Sequence, residues 1–148
     1  MKARDLMTPD PFTVLPTDTV ARAAELMRDI RVGCIPVVKS SATPVLIGLI
    51  TDRDITVRCV ANAHPGPCLV HQHMTSANLL TVGAEADESE VIAKMEQAQV
   101  RRIPVVKADG SLLGIVAQAD LATKLGPKEP LVVEAVLERI SKRPVALL

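Results

Sequence analysis

The chain contains one unit written twice, and that repetition limits what it can fold into more than any other feature. Met7-Thr8 recurs as Met74-Thr75, Thr13-Val14 as Thr81-Val82, Met27 as Met95, and Ile35-Pro36-Val37-Val38-Lys39 as Ile103-Pro104-Val105-Val106-Lys107. Toward the end of each copy Gly48, Ile50 and Asp54 meet Gly114, Val116 and Asp120. The spacing between equivalent residues changes slightly along the way, which places small insertions in loops. Each copy is about 60 residues, a size at which a separate hydrophobic core is marginal. The two copies are therefore expected to share one core.

Within a copy the hydrophobic period changes in a fixed order. Val20, Ala23, Ala24, Met27 and Ile30 form one helical stripe, and Val91, Ile92, Met95 and Ala98 form its counterpart. Thr17-Asp18 and Asp87 are the expected N-caps, the latter in a capping box with Glu90. A short apolar run follows each helix (35–38 and 103–106), then a turn, then a second run (46–50 and 112–116). Such continuous β-branched runs suit strands covered on both faces. Asp109-Gly110 marks the second copy's hairpin; the first copy has the longer turn 40–44. Further helices are expected over about 52–63 and 118–125. The unit reads β-α-β-β-α.

Expected boundaries are residues 2–61 for the first repeat, 62–69 for a linker holding Pro65-Gly66-Pro67, 70–125 for the second repeat and 126–148 for a C-terminal helix and tail. Val132, Val133, Val136, Leu137 and Ile140 fall at helical spacing after Gly126-Pro127, predicting an amphipathic helix against the body or a partner. The class is α+β, an α/β-type sandwich of two repeats packed pseudo-symmetrically.

Composition removes several function classes. Of 148 residues, 17 are Lys or Arg and 17 Asp or Glu, so nothing favours a strongly basic nucleic-acid surface. Phe12 is the only aromatic residue, which removes the stacking platforms of single-strand readers and predicts a core of Val, Ile, Leu, Met and Ala. No apolar stretch approaches the roughly 18 residues of a membrane span, and the first residues lack a signal peptide's apolar segment. Cys34, Cys59 and Cys68 are odd in number and lack CxxC spacing, so reduced thiols and a cytoplasmic location are expected.

Two copies of a Met-Thr start, a Met-bearing helix, an Ile-Pro-Val-Val strand and the segment Gly48-Leu49-Ile50-Thr51-Asp52-Arg53-Asp54 together resemble a tandem cystathionine-β-synthase (CBS) domain pair, or Bateman module. The resemblance covers about residues 2–125, and the chain resembles the stand-alone bacterial CBS-pair proteins. It implies two clefts between the repeats, an adenine nucleotide or S-adenosylmethionine as regulatory ligand, no obligatory cofactor, and disk-like dimers.

Gly48-x-x-Thr51-x-x-Asp54 sits where a strand meets a helix. Gly48 permits close approach, Thr51 offers a hydroxyl to phosphate, and Asp54 has two oxygens for two ribose hydroxyls. Thr-x-x-Asp is equally a capping box, which needs no ligand. The resemblance implies that Thr51 and Asp54 converge with Arg101 and Arg102, whose guanidinium groups suit phosphate. It also implies that the base lies along Thr75 to Leu80, with Leu79 and Leu80 as apolar walls. Lys124 is a weaker phosphate candidate. The second cleft keeps Asp120, with Thr8 and Gly33 nearby, but has Ala117 in place of the threonine. Gly33 and Cys34 stand where the arginines would be, with Arg31 close in sequence.

Three other readings compete. A ligand-free interaction or dimerisation scaffold would not require Thr51, Asp54 and the arginine pair. His64, Cys68, His71 and His73 fall within ten residues and are candidate zinc ligands. Catalysis has least support, since Cys68 has only His71 near in sequence and no orienting acid. The expected protein is a non-enzymatic sensor: a homodimer formed by the helical stripes, acting on an unknown protein partner.

Overall fold

Residues 1–142 are described by a computed structural model, in which the chain divides into two compact units. Of the described residues, one unit holds 1–10, 80–108 and 113–142; the other holds 11–79 and 109–112. These units cut across the sequence copies. The opening residues of the first copy belong with the body of the second, and residues 70–79, which open the second copy, belong with the body of the first. The described part of the expected tail ends at Lys142, so 143–148 lie outside the described residues.

In the unit containing the amino terminus, α1 (Ala3–Leu6) leads into β1 (Thr8–Pro9). The other elements of this unit are β4 (Val82–Gly83), α5 (Glu88–Ala98), β5 (Arg102–Val106), β6 (Leu112–Ala117, of which Leu112 falls in the other unit), α6 (Gln118–Lys124) and α7 (Pro130–Ser141). The sheet order is β1-β6-β5-β4, with Thr8 opposite Ile115 in an antiparallel pair and Val82 beside Val105 in a parallel one. The second unit contains α2 (Val20–Ile30), β2 (Cys34–Val38), β3 (Leu46–Thr51), α3 (Asp52–Asp54), which runs on as a π-helical turn over Ile55–Val60, and α4 (Val70–His73). Here β2 and β3 are antiparallel, Ile35 opposite Ile50, and the copy's first strand is reduced to one parallel bridge between Val14 and Val37.

Local chemistry explains the helix ends and corrects two expected caps. Thr19, not Thr17 or Asp18, caps α2: its hydroxyl accepts from Arg22 N at 3.1 Å, while the Asp18 carboxylate accepts from Leu15 N at 2.7 Å. Asp87 does precede α5, but its carboxylate accepts from Lys2 Nζ at 2.7 Å and leaves the helix without a side-chain cap. The same hydrogen bond holds the Asp87 carboxyl below its ordinary pKa. Arg31 and Gln99 close the two equivalent helices in the left-handed conformation, at φ 56° and 54°.

Each unit has an aliphatic core. Leu6, Val91, Met95, Ile103, Val105, Val116 and Leu121 form one, with Val133, Val136 and Ile140 of α7 packed onto it. Val14, Val20, Ala23, Met27, Ile35, Val37, Ile50 and Val70 form the other. The helical stripes expected to build a dimer are thus largely enclosed within the chain. Phe12, 60% exposed, is outside both cores. No helix among the described residues is long and apolar enough to cross a membrane.

Candidate functional site

Thr51 and Asp54 are locked to each other at the start of α3. Thr51 Oγ1 accepts from Asp54 N at 3.0 Å, and Asp54 Oδ2 accepts from Thr51 N at 3.0 Å. The capping box expected from the sequence is therefore present. It leaves Asp54 Oδ1 turned toward Arg58 Nε, 3.6 Å away. The Asp54 side chain is 11% exposed, so its carboxylate is largely enclosed and does not rotate freely.

Beside the box, Leu49 and Thr75 exchange backbone hydrogen bonds of 2.9 and 2.8 Å. Gly48 is needed for this approach, because a Cβ there would lie 2.7 Å from Met74 Sδ and 3.1 Å from Thr75 O. Gly48, Thr51, Asp54, Thr75 and half-buried Leu79 thus fall in one unit. Gly33 joins them: its carbonyl accepts from Asp52 N at 3.0 Å, and Arg31 is exposed nearby in the chain. Leu80, 38% exposed, belongs to the other unit.

That other unit repeats the arrangement with altered chemistry. Asp120 Oδ2 accepts from Ala117 N at 2.7 Å, so the carboxylate half of the box survives without the hydroxyl half. Thr8 Oγ1 lies 3.4 Å from Asp120 Oδ1, a long contact that supplies a hydroxyl from β1 instead. Gly114 meets Met7 and Thr8 as Gly48 meets Met74 and Thr75.

Arg101 and Arg102 are exposed at the entry to β5, in the unit that holds Asp120. They line a cavity of about 390 Å³ with Ala117, Gln118, Ala119, Ala122 and Leu137. Among the described residues neither guanidinium group has a side-chain acceptor, which leaves both suited to an anion. Lys124, by contrast, donates to Leu6 O at 2.7 Å and Met7 O at 3.0 Å. Its charge is engaged at the end of α1. Arg58 holds the same relation to α4, donating to His73 O at 3.3 Å and Met74 O at 3.2 Å.

The histidine and cysteine cluster differs from its sequence reading. Cys59 and Cys68 are joined as a disulfide, contrary to the expected reduced thiols. The π-helical turn brings them together: Ala61 N bonds Thr56 O and His64 N bonds Cys59 O, so the chain folds back before the Pro-rich linker. His73 is 3% exposed with Nε2 lacking any hydrogen-bond partner. His64 stacks edge to face on it at 4.8 Å, and His64 Nδ1 is 3.3 Å from Cys68 Sγ. His71 is exposed and apart from this group. Sequence reasoning missed Cys59, although the even run Cys59-x4-His64-x3-Cys68-x4-His73 was available as a signal.

Comparison with known proteins places these features in a family. The CBS domain signature matches residues 3–60 and 70–126. The chain is 40% identical over 119 residues to CBS domain-containing protein YhcV of Bacillus subtilis (strain 168), covering 80% of this chain and 81% of that protein. Among solved structures it is similar to Hypoxic Response Protein I, crystallised with two coordinated zinc ions, at 32% identity and TM-score 0.73 over 83% of this chain and 98% of that one. It is also similar to the CBS domain pair of MJ0100, crystallised with 5′-methylthioadenosine and S-adenosyl-L-methionine, at 24% identity and TM-score 0.73 over 86% of this chain and 98% of that one. That last likeness establishes the fold alone.

Proposed function

The chain belongs to the CBS domain family, and from that premise we propose that it is a regulatory module binding an adenosine-containing ligand and passing the resulting change to a protein partner. The observation that carries this reading is the enclosed Asp54 carboxylate, fixed by Thr51 beside the close approach of Gly48 and Thr75. Asp54 takes the ribose hydroxyls, and Thr51 lies beside the first phosphate. Leu79, Leu80 and the backbone from Thr75 flank the base. Arg101 and Arg102, which belong to the other unit, are proposed as charge-assisted donors to phosphate. AMP, ADP, ATP and S-adenosylmethionine all carry the adenosine part, and only the nucleotides use the arginine pair fully. Asp120, with Thr8, is assigned to a weaker second site; Gly33, grouped with them from the sequence, lies instead in the unit of Thr51 and Asp54.

A thermal-shift screen against AMP, ADP, ATP, S-adenosylmethionine and NAD tests this directly. Ligand at 100 times its dissociation constant stabilises by about 2.7 kcal/mol, a readily measured shift. No shift with any adenosyl compound favours the scaffold reading instead. Self-association remains part of the proposal, although the α2 and α5 stripes are mostly enclosed. Exposed Phe12, Val57, Val60, Leu131 and Val132 are among the apolar side chains left to cover. Light scattering showing only a 15.8 kDa species opposes a dimer.

Metal binding is a second reading, favoured by one observation: donor atoms of Cys59, Cys68 and His73 all lie within 4.8 Å of one another. Hypoxic Response Protein I, 32% identical, was crystallised with zinc. Zinc analysis of untagged protein tests whether this chain takes up metal at all.

A further inference from the structure

We propose that Cys59, His64, Cys68 and His73 form a single zinc(II) site whose two thiolates are the same sulfurs that otherwise make the Cys59–Cys68 disulfide, so that metal binding and disulfide formation exclude each other. The inference rests on the metal-binding reading and adds to it a ligand set and a redox condition.

Four observations converge on this assignment. The donor atoms of Cys59, Cys68 and His73 already fall within 4.8 Å. Tetrahedral zinc, with bonds of about 2.3 Å to sulfur and about 2.0 to 2.1 Å to nitrogen, sets neighbouring donors at about 3.4 to 3.8 Å, so the sulfurs must part on reduction while His73 needs only a small closure. His73 is 3% exposed and its Nε2 has no hydrogen-bond partner, a costly state for a buried polar atom unless something else engages it. His64 supplies the fourth donor, with Nδ1 3.3 Å from Cys68 Sγ and its ring against His73. Finally, the Cα atoms of Cys59 and Cys68 stand 6.9 Å apart, at the outer limit of what a disulfide spans.

Two cysteines and two histidines make a closed structural set, and two thiolates neutralise the dication. The site ties the π-helical turn to α4 across the linker. His71, exposed and outside the cluster, is not a ligand.

The redox step balances simply. A phosphine reductant breaks the sulfur–sulfur bond and gives up two electrons. Water supplies two protons to the sulfurs and its oxygen to the phosphorus, leaving a phosphine oxide and two thiols. Zinc then displaces those two thiol protons. In the reverse sense, diamide takes up two electrons and two protons from the thiols as the disulfide forms, and the site loses both anionic ligands.

The test uses the full chain without a histidine tag, in phosphine-reduced and diamide-oxidised forms, dialysed against zinc and analysed by elemental mass spectrometry. The reduced protein is expected to hold one zinc per chain and the oxidised protein at least tenfold less. Cobalt(II) substitution of the reduced form should give thiolate charge-transfer absorption and intense tetrahedral bands. Cys59→Ser, Cys68→Ser, His64→Gln and His73→Gln should each lower zinc affinity tenfold or more, and His71→Ala should leave it unchanged. Because the reduced and oxidised wild type are compared without any substitution, misfolding of a variant does not decide the outcome. Zinc in the reduced wild type that survives Cys59→Ser or is lost in His71→Ala overturns the ligand set while metal binding stands. Equal zinc in the reduced and oxidised proteins overturns the exclusion. No zinc and no cobalt spectrum in the reduced protein overturn the metal reading itself.

Discussion

Arg58 Nε stands 3.6 Å from Asp54 Oδ1, one helical turn along, while the same guanidinium donates through Nη1 to His73 O and Met74 O. Of these contacts the carbonyl bonds matter more. Half of the Arg58 side chain is exposed, and ion pairs of that kind contribute about 0 to 1 kcal/mol, whereas hydrogen bonds to charged donors contribute about 1.5 to 3 kcal/mol. Arg58 therefore acts mainly to hold the end of α4, and with it Thr75.

Lys124 does the same for α1. Lys124→Met is expected to destabilise the protein by about 1 to 3 kcal/mol through the lost bonds to Leu6 O and Met7 O. Adenosyl-ligand affinity, measured on folded protein, should stay within twofold. A large loss of ATP affinity with unchanged denaturation would return Lys124 to the phosphate site.

The two glycines predict unequal costs. A Cβ at Gly48 meets chiefly Met74 Sδ, the movable part of a side chain, at 2.7 Å; one at Gly114 meets Thr8 O, a backbone atom, at 2.7 Å as well as Met7 Sδ at 2.6 Å. Overpacking costs about 1 to 3 kcal/mol, so Gly114→Ala should fall at the upper end and Gly48→Ala at the lower. Urea unfolding of both variants checks the order, and the reverse order would contradict it.

Burial, reinforced by His64 and Arg58, holds the His73 pKa below its ordinary value. A group depressed on folding binds its proton more readily in the unfolded chain. Its contribution is therefore complete above about pH 6.5, the unfolded value, and is lost as pH falls through the folded one. Metal-free protein in chelator should unfold at lower urea at pH 5.5 than at pH 7.5, and His73→Gln should flatten that difference. An equal slope in wild type and variant would remove His73 as its source.

The repeat made the fold legible because equivalent strands and helices must do equivalent packing: Ile35 and Met27 enter one aliphatic core and Ile103 and Met95 the other, where one shared core was expected. What periodicity does not encode is which strand a segment pairs with. Thr8 beside Ile115 and Thr75 beside Leu49 therefore came only with the structure. Asp87 illustrates a similar limit, since its position was legible but Lys2, 85 residues away, takes its carboxylate from the helix. Thr51 and Asp54 were found because a capping box is local. Cys59 was missed because it was assigned to an ordinary helix, and the π-helical turn that aims it at Cys68 leaves no period of its own in six residues.

Calorimetric titration of wild type, Asp54→Ala, Asp120→Ala and Arg102→Ala with ATP and with adenosine tests the central claim most directly. In the proposed mode Arg101 and Arg102 give phosphorylated ligands charge-assisted bonds that adenosine cannot make, each contributing roughly 1.5 to 3 kcal/mol. Two such bonds correspond to at least about a hundredfold in affinity. One strong ATP site per chain is expected, abolished by Asp54→Ala and retained in Asp120→Ala, with Arg102→Ala weakening ATP far more than adenosine. Two equal sites, or loss of ATP binding in Asp120→Ala with Asp54→Ala intact, would contradict the assignment.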